Sequence, residues 1–186
     1  MPSNFWSTGK VRLRAIEPSD TPYFYEWNLD SEIARQLDFV WPPTSLAAIE
    51  AMTAAQATRS LEDDRFRWII ETGERVAVGT IDTHHCARRC GTFSYGIAIG
   101  AAHRRRGYAG AAIHLVLKYY FEELRYQKVT VEVHSYTTPS LQLHERLGFV
   151  REGTLRRMGF THGAYFDIHW DGMTVEEFSE KAPQWA

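Results

Sequence analysis

The sequence predicts a single mixed α/β domain, an α+β arrangement on a mostly antiparallel, twisted central sheet. Three observations carry that expectation. Strand-like segments at 67–72, 76–84 and 92–99 are joined by short Gly-containing turns, which reads as an antiparallel meander. An amphipathic stretch at 107–124 then separates Ile99 from another strand-like segment at 128–133, and such a strand–helix–strand link is a parallel crossover. The chain closes on a hairpin, 149–160 and 164–170, around His162-Gly163. Its 186 residues suffice for one domain with a sizeable core. No repeat, linker or low-complexity run divides them, so residues 1–186 are read as one domain with core 11–171 and short extensions.

Each element has its own signal. Residues 11–15 (Val-Arg-Leu-Arg-Ala) alternate as a half-buried strand does. Pro18-Ser19-Asp20 opens a helix with an apolar stripe of Tyr23, Phe24 and Trp27. Ser31 is placed to cap a second, short helix, which Trp41-Pro42-Pro43 ends. Ser45 begins a third, Ala-rich helix. Along 107–124, Ile113, Val116, Leu117, Tyr120, Phe121 and Leu124 share one face. Pro139 starts the next helix, and Gly148 is its natural C-cap. The order is β-α-α-α-β-β-β-α-β-α-β-β.

Composition excludes several classes. Hydrophobic content of 44% and charged content of 24% are those of an ordinary soluble globular protein rather than a disordered one. A net charge of −2 argues against nucleic acid as a whole-protein partner. No apolar run approaches the ~18 residues of a membrane span, and residues 1–6 lack a basic segment followed by an apolar one, so neither membrane nor secretory signal is expected. Cys86 and Cys90 are the two cysteines, which fits a reducing cytoplasm and not a disulfide scaffold. Charge is unevenly spread. Ten acidic and two basic residues fall between Glu17 and Asp64, whereas Arg88, Arg89 and Arg104 to Arg106 make the following region basic. That asymmetry suits an anionic ligand and a cationic one, or simply a solvated acidic face.

The most informative stretch is Arg104-Arg105-Arg106-Gly107-Tyr108-Ala109, after Ile97-Ala98-Ile99 and at the start of a helix. Three arginines alone read as a solvated run or a nucleic-acid patch. Strand before, helix after and glycine in register instead build an anion cradle, because the first helical N–H groups have no intrahelical acceptors and the helix dipole adds positive charge. Neither a P-loop string nor a Gly-x-Gly-x-x-Gly fingerprint is present.

Three sets of residues together resemble the GNAT acyltransferase superfamily, in its RimJ/RimL and spermidine acetyltransferase branch. They are the Arg-x-x-Gly-x-Ala loop, Thr137-x-x-Ser140-x-x-x-His144-Glu145-Arg146-Leu147-Gly148-Phe149, and Glu152-Gly153-x-Leu155-Arg156 with Gly163-Ala164-Tyr165-Phe166-Asp167. The resemblance spans about 11–171. It implies direct transfer of an acyl group from acetyl-CoA, as co-substrate, to an amine. It implies a sheet splayed around the acyl-CoA site, with Ile97, Ala98 and Ile99 along pantetheine. Arg104, Arg105, Arg106, Gly107, Tyr108, Ala109 and Gly110 would hold diphosphate, and Thr137 and Ser140 the pantetheine arm. A strand N–H near Ile97 or Ala98 can stabilise the tetrahedral oxyanion. The final hairpin is also where the family can form a homodimer.

The chain departs from the family pattern where the chemistry is done. His144 stands where the family carries a tyrosine acid, Thr137 stands for its asparagine, and the strand 93–96 holds no carboxylate base. An imidazole can donate a proton near neutral pH. Candidate bases are Asp82, His84, His134, Asp38 and Glu26, or a water chain. Glu26, Trp27, Asp38 and Trp41 are the candidate acceptor-binding residues, with the aromatic ones equally readable as core. His84-His85-Cys86-x3-Cys90 lacks zinc-ligand spacing, neighbouring histidines on a strand should face opposite sides, and Arg88 and Arg89 repel a cation, so no metal is expected. The expected function is thus a CoA-dependent N-acetyltransferase acting on a small cationic amine or a protein N-terminus. The alternatives are a catalytically silent acyl-CoA-binding module and an RNA-linked transferase.

Overall fold

The computed structural model describes residues 4–37, 39–60 and 63–185, so Asp38 lies outside the described residues. The elements are β1 (Val11–Arg14), α1 (Thr21–Leu29), α2 (Ser31–Leu37), α3 (Leu46–Ala57), β2 (Arg67–Thr72), β3 (Ala77–Ala87), β4 (Thr92–Ile99), α4 (Tyr108–Lys118), β5 (Lys128–His134), α5 (Thr138–Leu147), β6 (Val150–Thr161), β7 (Ala164–Thr174) and α6 (Val175–Lys181). The seven strands form one sheet in the order β1-β2-β3-β4-β5-β7-β6. The pairs β1/β2, β2/β3, β5/β7 and β6/β7 are antiparallel, and β4/β5 is parallel. This is the mixed α/β class with a mostly antiparallel sheet. Among the described residues no helix is long and apolar enough to cross a membrane.

Four local features differ from expectation. α6 was not anticipated, although Thr174-Val175-Glu176-Glu177 is a capping box: the Thr174 hydroxyl accepts the Glu177 N–H at 3.3 Å and the Glu177 carboxylate accepts the Thr174 N–H at 2.8 Å. The cap of α2 is Asp30 rather than Ser31, with Oδ1 accepting the N–H groups of Glu32 and Ile33 at 2.9 and 3.1 Å. α4 ends at Lys118 and continues as a π-helical turn, Tyr119–Glu123. Finally, His84 and His85 do not face opposite sides. His85 takes a left-handed φ of 48°, and the two rings meet edge to face with centroids 4.8 Å apart.

The chain divides into two units, each described by itself, with β3, β4 and α4 running through both. The first comprises Met1–Thr83 and Gly96–Leu115. Its apolar cluster is Ile16, Phe24, Ile49, Ile69 and Ala77, with Tyr23, Tyr25, Trp27 and Met52 packed against it. The alternation read at 11–15 has a polar counterpart. Arg14 donates to Glu71 Oε1 from Nε at 2.7 Å and to both Asp20 carboxylate oxygens at 2.7 Å, and Arg12 also pairs with Glu71. Both carboxylates are nearly sealed from solvent. Burial pushes each carboxyl upward, yet the arginine hydrogen bonds outweigh it and hold both below the usual range. Gly79 fixes where β3 and β4 run closest, since a Cβ there would lie 2.1 Å from the Ala98 carbonyl oxygen.

The second unit comprises His84–Tyr95 and Val116–Ala186. Phe93 stacks on Tyr120 at 4.0 Å and meets Phe121 and Tyr126 edge to face. Tyr120 and Phe121, both in the π turn, are buried at 0% and 6% exposure. Gly148 closes α5 with a left-handed φ of 87°.

Replacing Arg14 with leucine strips the buried Asp20 carboxylate of its guanidinium and leaves the buried Glu71 with Arg12 alone. The expected cost is about 3 kcal/mol in a urea unfolding titration at pH 7. Because both folded carboxyl pKa values lie below their unfolded ones, the wild-type stability from this network is full above about pH 4.5 and is lost as pH falls through the folded values, whereas the variant should show a flatter acid limb.

Candidate active site

In the first unit, β4 leads into a loop that the backbone shapes for an anion. Gly100 donates its N–H to the Val78 carbonyl at 2.9 Å, which pins the exit from β4. Arg105 and Gly107 both take left-handed φ values, 65° and 82°. Such alternation turns successive N–H groups toward one concavity. Arginine rarely adopts this conformation, so the strain at Arg105 is itself a functional pointer. The Ala111 N–H makes the first bond of α4, to Gly107 O at 3.2 Å, which leaves the N–H groups of Tyr108, Ala109 and Gly110 at the helix start without intrahelical acceptors. Arg104 folds back to donate to the Ile99 carbonyl at 3.1 Å, whereas Arg105 and Arg106 are exposed. Lys10, which sequence reasoning missed, closes the loop from the other side: a Cβ on Gly107 would lie 3.5 Å from its Nζ. No pattern around Lys10 could have flagged it, because its place depends on the β1 approach.

The structure thus brings Ile97, Ala98, Ile99 and residues 104–110 together. The described candidate acceptor residues have the following surroundings. Trp27 packs against the apolar cluster and stacks on Tyr23 at 6.0 Å, and its Nε1 would lie 3.3 Å from a Cβ on Gly100. Glu26 is exposed, and Trp41, 66% exposed, sits edge to face with Phe39. Four of the ten acidic residues between Glu17 and Asp64 serve structure. Asp20 pairs with Arg14, Asp30 caps α2, Glu32 pairs with Arg35, and Asp63 pairs with Arg65 and Arg59, which hold its carboxyl down to about 2. Asp82 faces Arg67 at 3.3 Å.

In the second unit, His144 is sealed at 3% exposure. Its Nδ1 lies 2.8 Å from the Ser140 carbonyl oxygen, with Ser140 Oγ at 3.4 Å. A carbonyl can only accept, so the ring proton sits on Nδ1, and the Nε2 lone pair accepts the buried Tyr95 hydroxyl at 2.9 Å. Burial lowers the His144 pKa, opposed by the Ser140 bond and by the Asp171 charge. Burial likewise pushes the Tyr95 phenol well above its usual value, and Asp171 adds to the rise. Tyr95 was not singled out from the sequence, where it reads as an ordinary inward strand residue. Thr137 is buried, and its hydroxyl donates to the His134 carbonyl at 2.7 Å. His134 Nδ1 meets the Tyr136 hydroxyl at 3.2 Å, and its ring lies against Phe166.

The family description of the acetyltransferase (GNAT) domain matches residues 10–150, which contain β4, the anion loop and α5. The chain belongs to the GNAT acetyltransferase family and is a CoA-dependent N-acetyltransferase. It is 42% identical over 178 residues to the SPbeta prophage-derived uncharacterized N-acetyltransferase YokL of Bacillus subtilis, covering 96% of this chain and 97% of that one. It is 24% identical over 161 residues to the spermidine N(1)-acetyltransferase of Escherichia coli K12, covering 86% and 83%. In fold it is similar to the spermidine N-acetyltransferase of Vibrio cholerae solved in complex with CoA and spermine, with a TM-score of 0.81 at 21% identity over 92% of this chain and 99% of that one.

A buried neutral imidazole makes stability depend on acid. The His144 contribution is present above the unfolded value near 6.5 and is lost as pH falls through the depressed folded value. Side-chain nitrogen NMR should accordingly show His144 still as the Nδ1–H tautomer at pH 6, and Tyr95→Phe should destabilise the fold by about 1–3 kcal/mol by leaving Nε2 unsatisfied.

Proposed function

We propose that this chain transfers an acetyl group from acetyl-CoA to a primary amine of a small cationic molecule by direct attack. The anion loop carries the reading, because paired left-handed turns, free helical N–H groups and Lys10 suit a diphosphate. In this reading the backbone of Ile97, Ala98 and Ile99 pairs with pantetheine as an added strand would. The amine nitrogen attacks the thioester carbon, an N–C bond forms, and the oxyanion is held by a β4 N–H at Ile97 or Ala98. Collapse breaks the C–S bond, the nitrogen gives up its proton to a base, and the thiolate takes one up.

The bonding of His144 supports a holding role. Its one ring proton is committed to Ser140 and its lone pair to Tyr95, so it steadies α5 beside Ser140 while water protonates the thiolate. Of the candidate bases, Asp82 faces a guanidinium, and we take His134, half-buried at the end of β5, as the base to test first. The acceptor reading draws on the similarity to spermidine N(1)-acetyltransferase.

The test is thiol release from acetyl-CoA with spermidine, propylamine and free amino acids, with mass spectrometry of the product. Release coupled to an acetylated amine is expected. Lys10→Ala should weaken acetyl-CoA binding about tenfold, the scale of one charge-assisted contact, with little change in acceptor KM. Acetyl-CoA binding with no amine turned over would instead establish the silent module.

A further inference from the structure

Five arginines direct Nε to the protein itself. Arg12 and Arg14 give it to Glu71, Arg65 to Asp63, Arg151 to Asp171 and Arg104 to the Ile99 carbonyl. Arg67, the first residue of β2, does not. Its Nε is buried with no acceptor among the described residues. A buried N–H left unmatched is costly, and its retention calls for a physical reason.

The surroundings of Arg67 lie wholly within the first unit. Arg67 opposes Asp82 in the β2/β3 register, and Ile69, two residues on, belongs to the apolar cluster that contains Phe24 of α1. The guanidinium therefore sits on the α1 side of the sheet, with its carbon 5.7 Å from the centre of the Phe24 ring. Its ion pair with Asp82 is 3.3 Å long, beyond the roughly 2.8 Å of a good charge-assisted bond. The Arg67 and Asp82 side chains are 27% and 33% exposed, so a ligand can reach both. One turn along α1, Trp27 meets Phe24 edge to face at 5.5 Å and stands against Gly100, where β4 leaves for the anion loop. One side of α1 thus links Arg67 with that loop.

The charges select the ligand. A carboxylate bridges two neighbouring N–H groups of a guanidinium, and Nε with one Nη forms such a fork. A carboxylate that draws the guanidinium outward by a side-chain rotation gives Nε the acceptor it lacks. A plain alkylamine brings its ammonium against the Arg67 charge, and a dicarboxylate brings its second anion against Asp82. A zwitterion meets both, with its carboxylate on Arg67 and an ammonium beside Asp82.

We infer that Arg67 is the carboxylate-binding residue of the acceptor site and that the acceptor is a diamino acid, which carries a carboxylate and still keeps a net positive charge. The inference rests on the acetyltransferase reading above and narrows its amine to this class.

L-Lysine and cadaverine, the same diamine without the carboxylate, are the matched pair that tests it. Acetylation kinetics should give lysine a kcat/KM about tenfold above that of cadaverine, carried by a lower KM, and Arg67→Met should remove most of that preference. Arg67→Lys keeps a charge beside Asp82 but loses the fork. It should lose most of the preference too, and it serves where Arg67→Met does not fold. No preference for lysine in the wild type, or a preference that the variants retain, would overturn the inference. Calorimetric titration of the full chain with the same two ligands separates this inference from the reading beneath it. Lysine binding that exceeds cadaverine binding and falls in Arg67→Lys, with no amine acetylated, upholds the Arg67 site while the acetyltransferase reading fails. Equal binding of the two ligands sinks the Arg67 site whichever amine is acetylated.

Discussion

The anion loop depends on a contact that leaves no room for a side chain. At Gly79 the β3 backbone runs so close to the Ala98 carbonyl that even a methyl group would overlap it. The same strand end is gripped again two residues on, where the Gly100 N–H reaches Val78. Together these contacts fix the direction in which the chain leaves β4. The left-handed turns at Arg105 and Gly107 then carry it to the start of α4. A looser β4 exit would scatter the Tyr108, Ala109 and Gly110 N–H groups, and an anion site made of backbone dipoles works only if those dipoles are held in place beforehand.

Two buried polar groups, one in each unit, are matched on every side. Arg14 answers two carboxylates at once in the first unit, and in the second Tyr95 and Ser140 take up both nitrogens of His144. Such networks contribute little net stability compared with a well-packed apolar substitute, but removing one member is costly. For His144 this has a chemical consequence. Its two ring nitrogens are both engaged inside the protein, one with Ser140 and one with Tyr95.

Much of this was legible in the sequence, and the misses share a cause. Strand alternation, the Gly107 loop, Pro139 and Gly148 each report local physics, so the elements they mark were placed to within a few residues. The capping box at Thr174 was equally local and was overlooked. The π turn was not legible, because Tyr120 and Phe121 both turn inward only once Phe93 is there to receive them. The paired rings of His84 and His85 likewise follow from a left-handed residue that strand periodicity does not foresee.

By itself, the sequence determined the fold class and marked the loop proposed to hold the donor, because an arginine–glycine loop between strand and helix is a short-range pattern. It also marked His144 and Thr137 as departures from the family pattern. Tertiary structure alone decided what those departures amount to. It sealed His144 behind Tyr95, brought Lys10 to Gly107, and set Arg14 between Asp20 and Glu71. The first two, and the Arg14–Glu71 pair, join residues far apart in the chain, and burial, tautomer and charge pairing are properties of the neighbours that folding supplies.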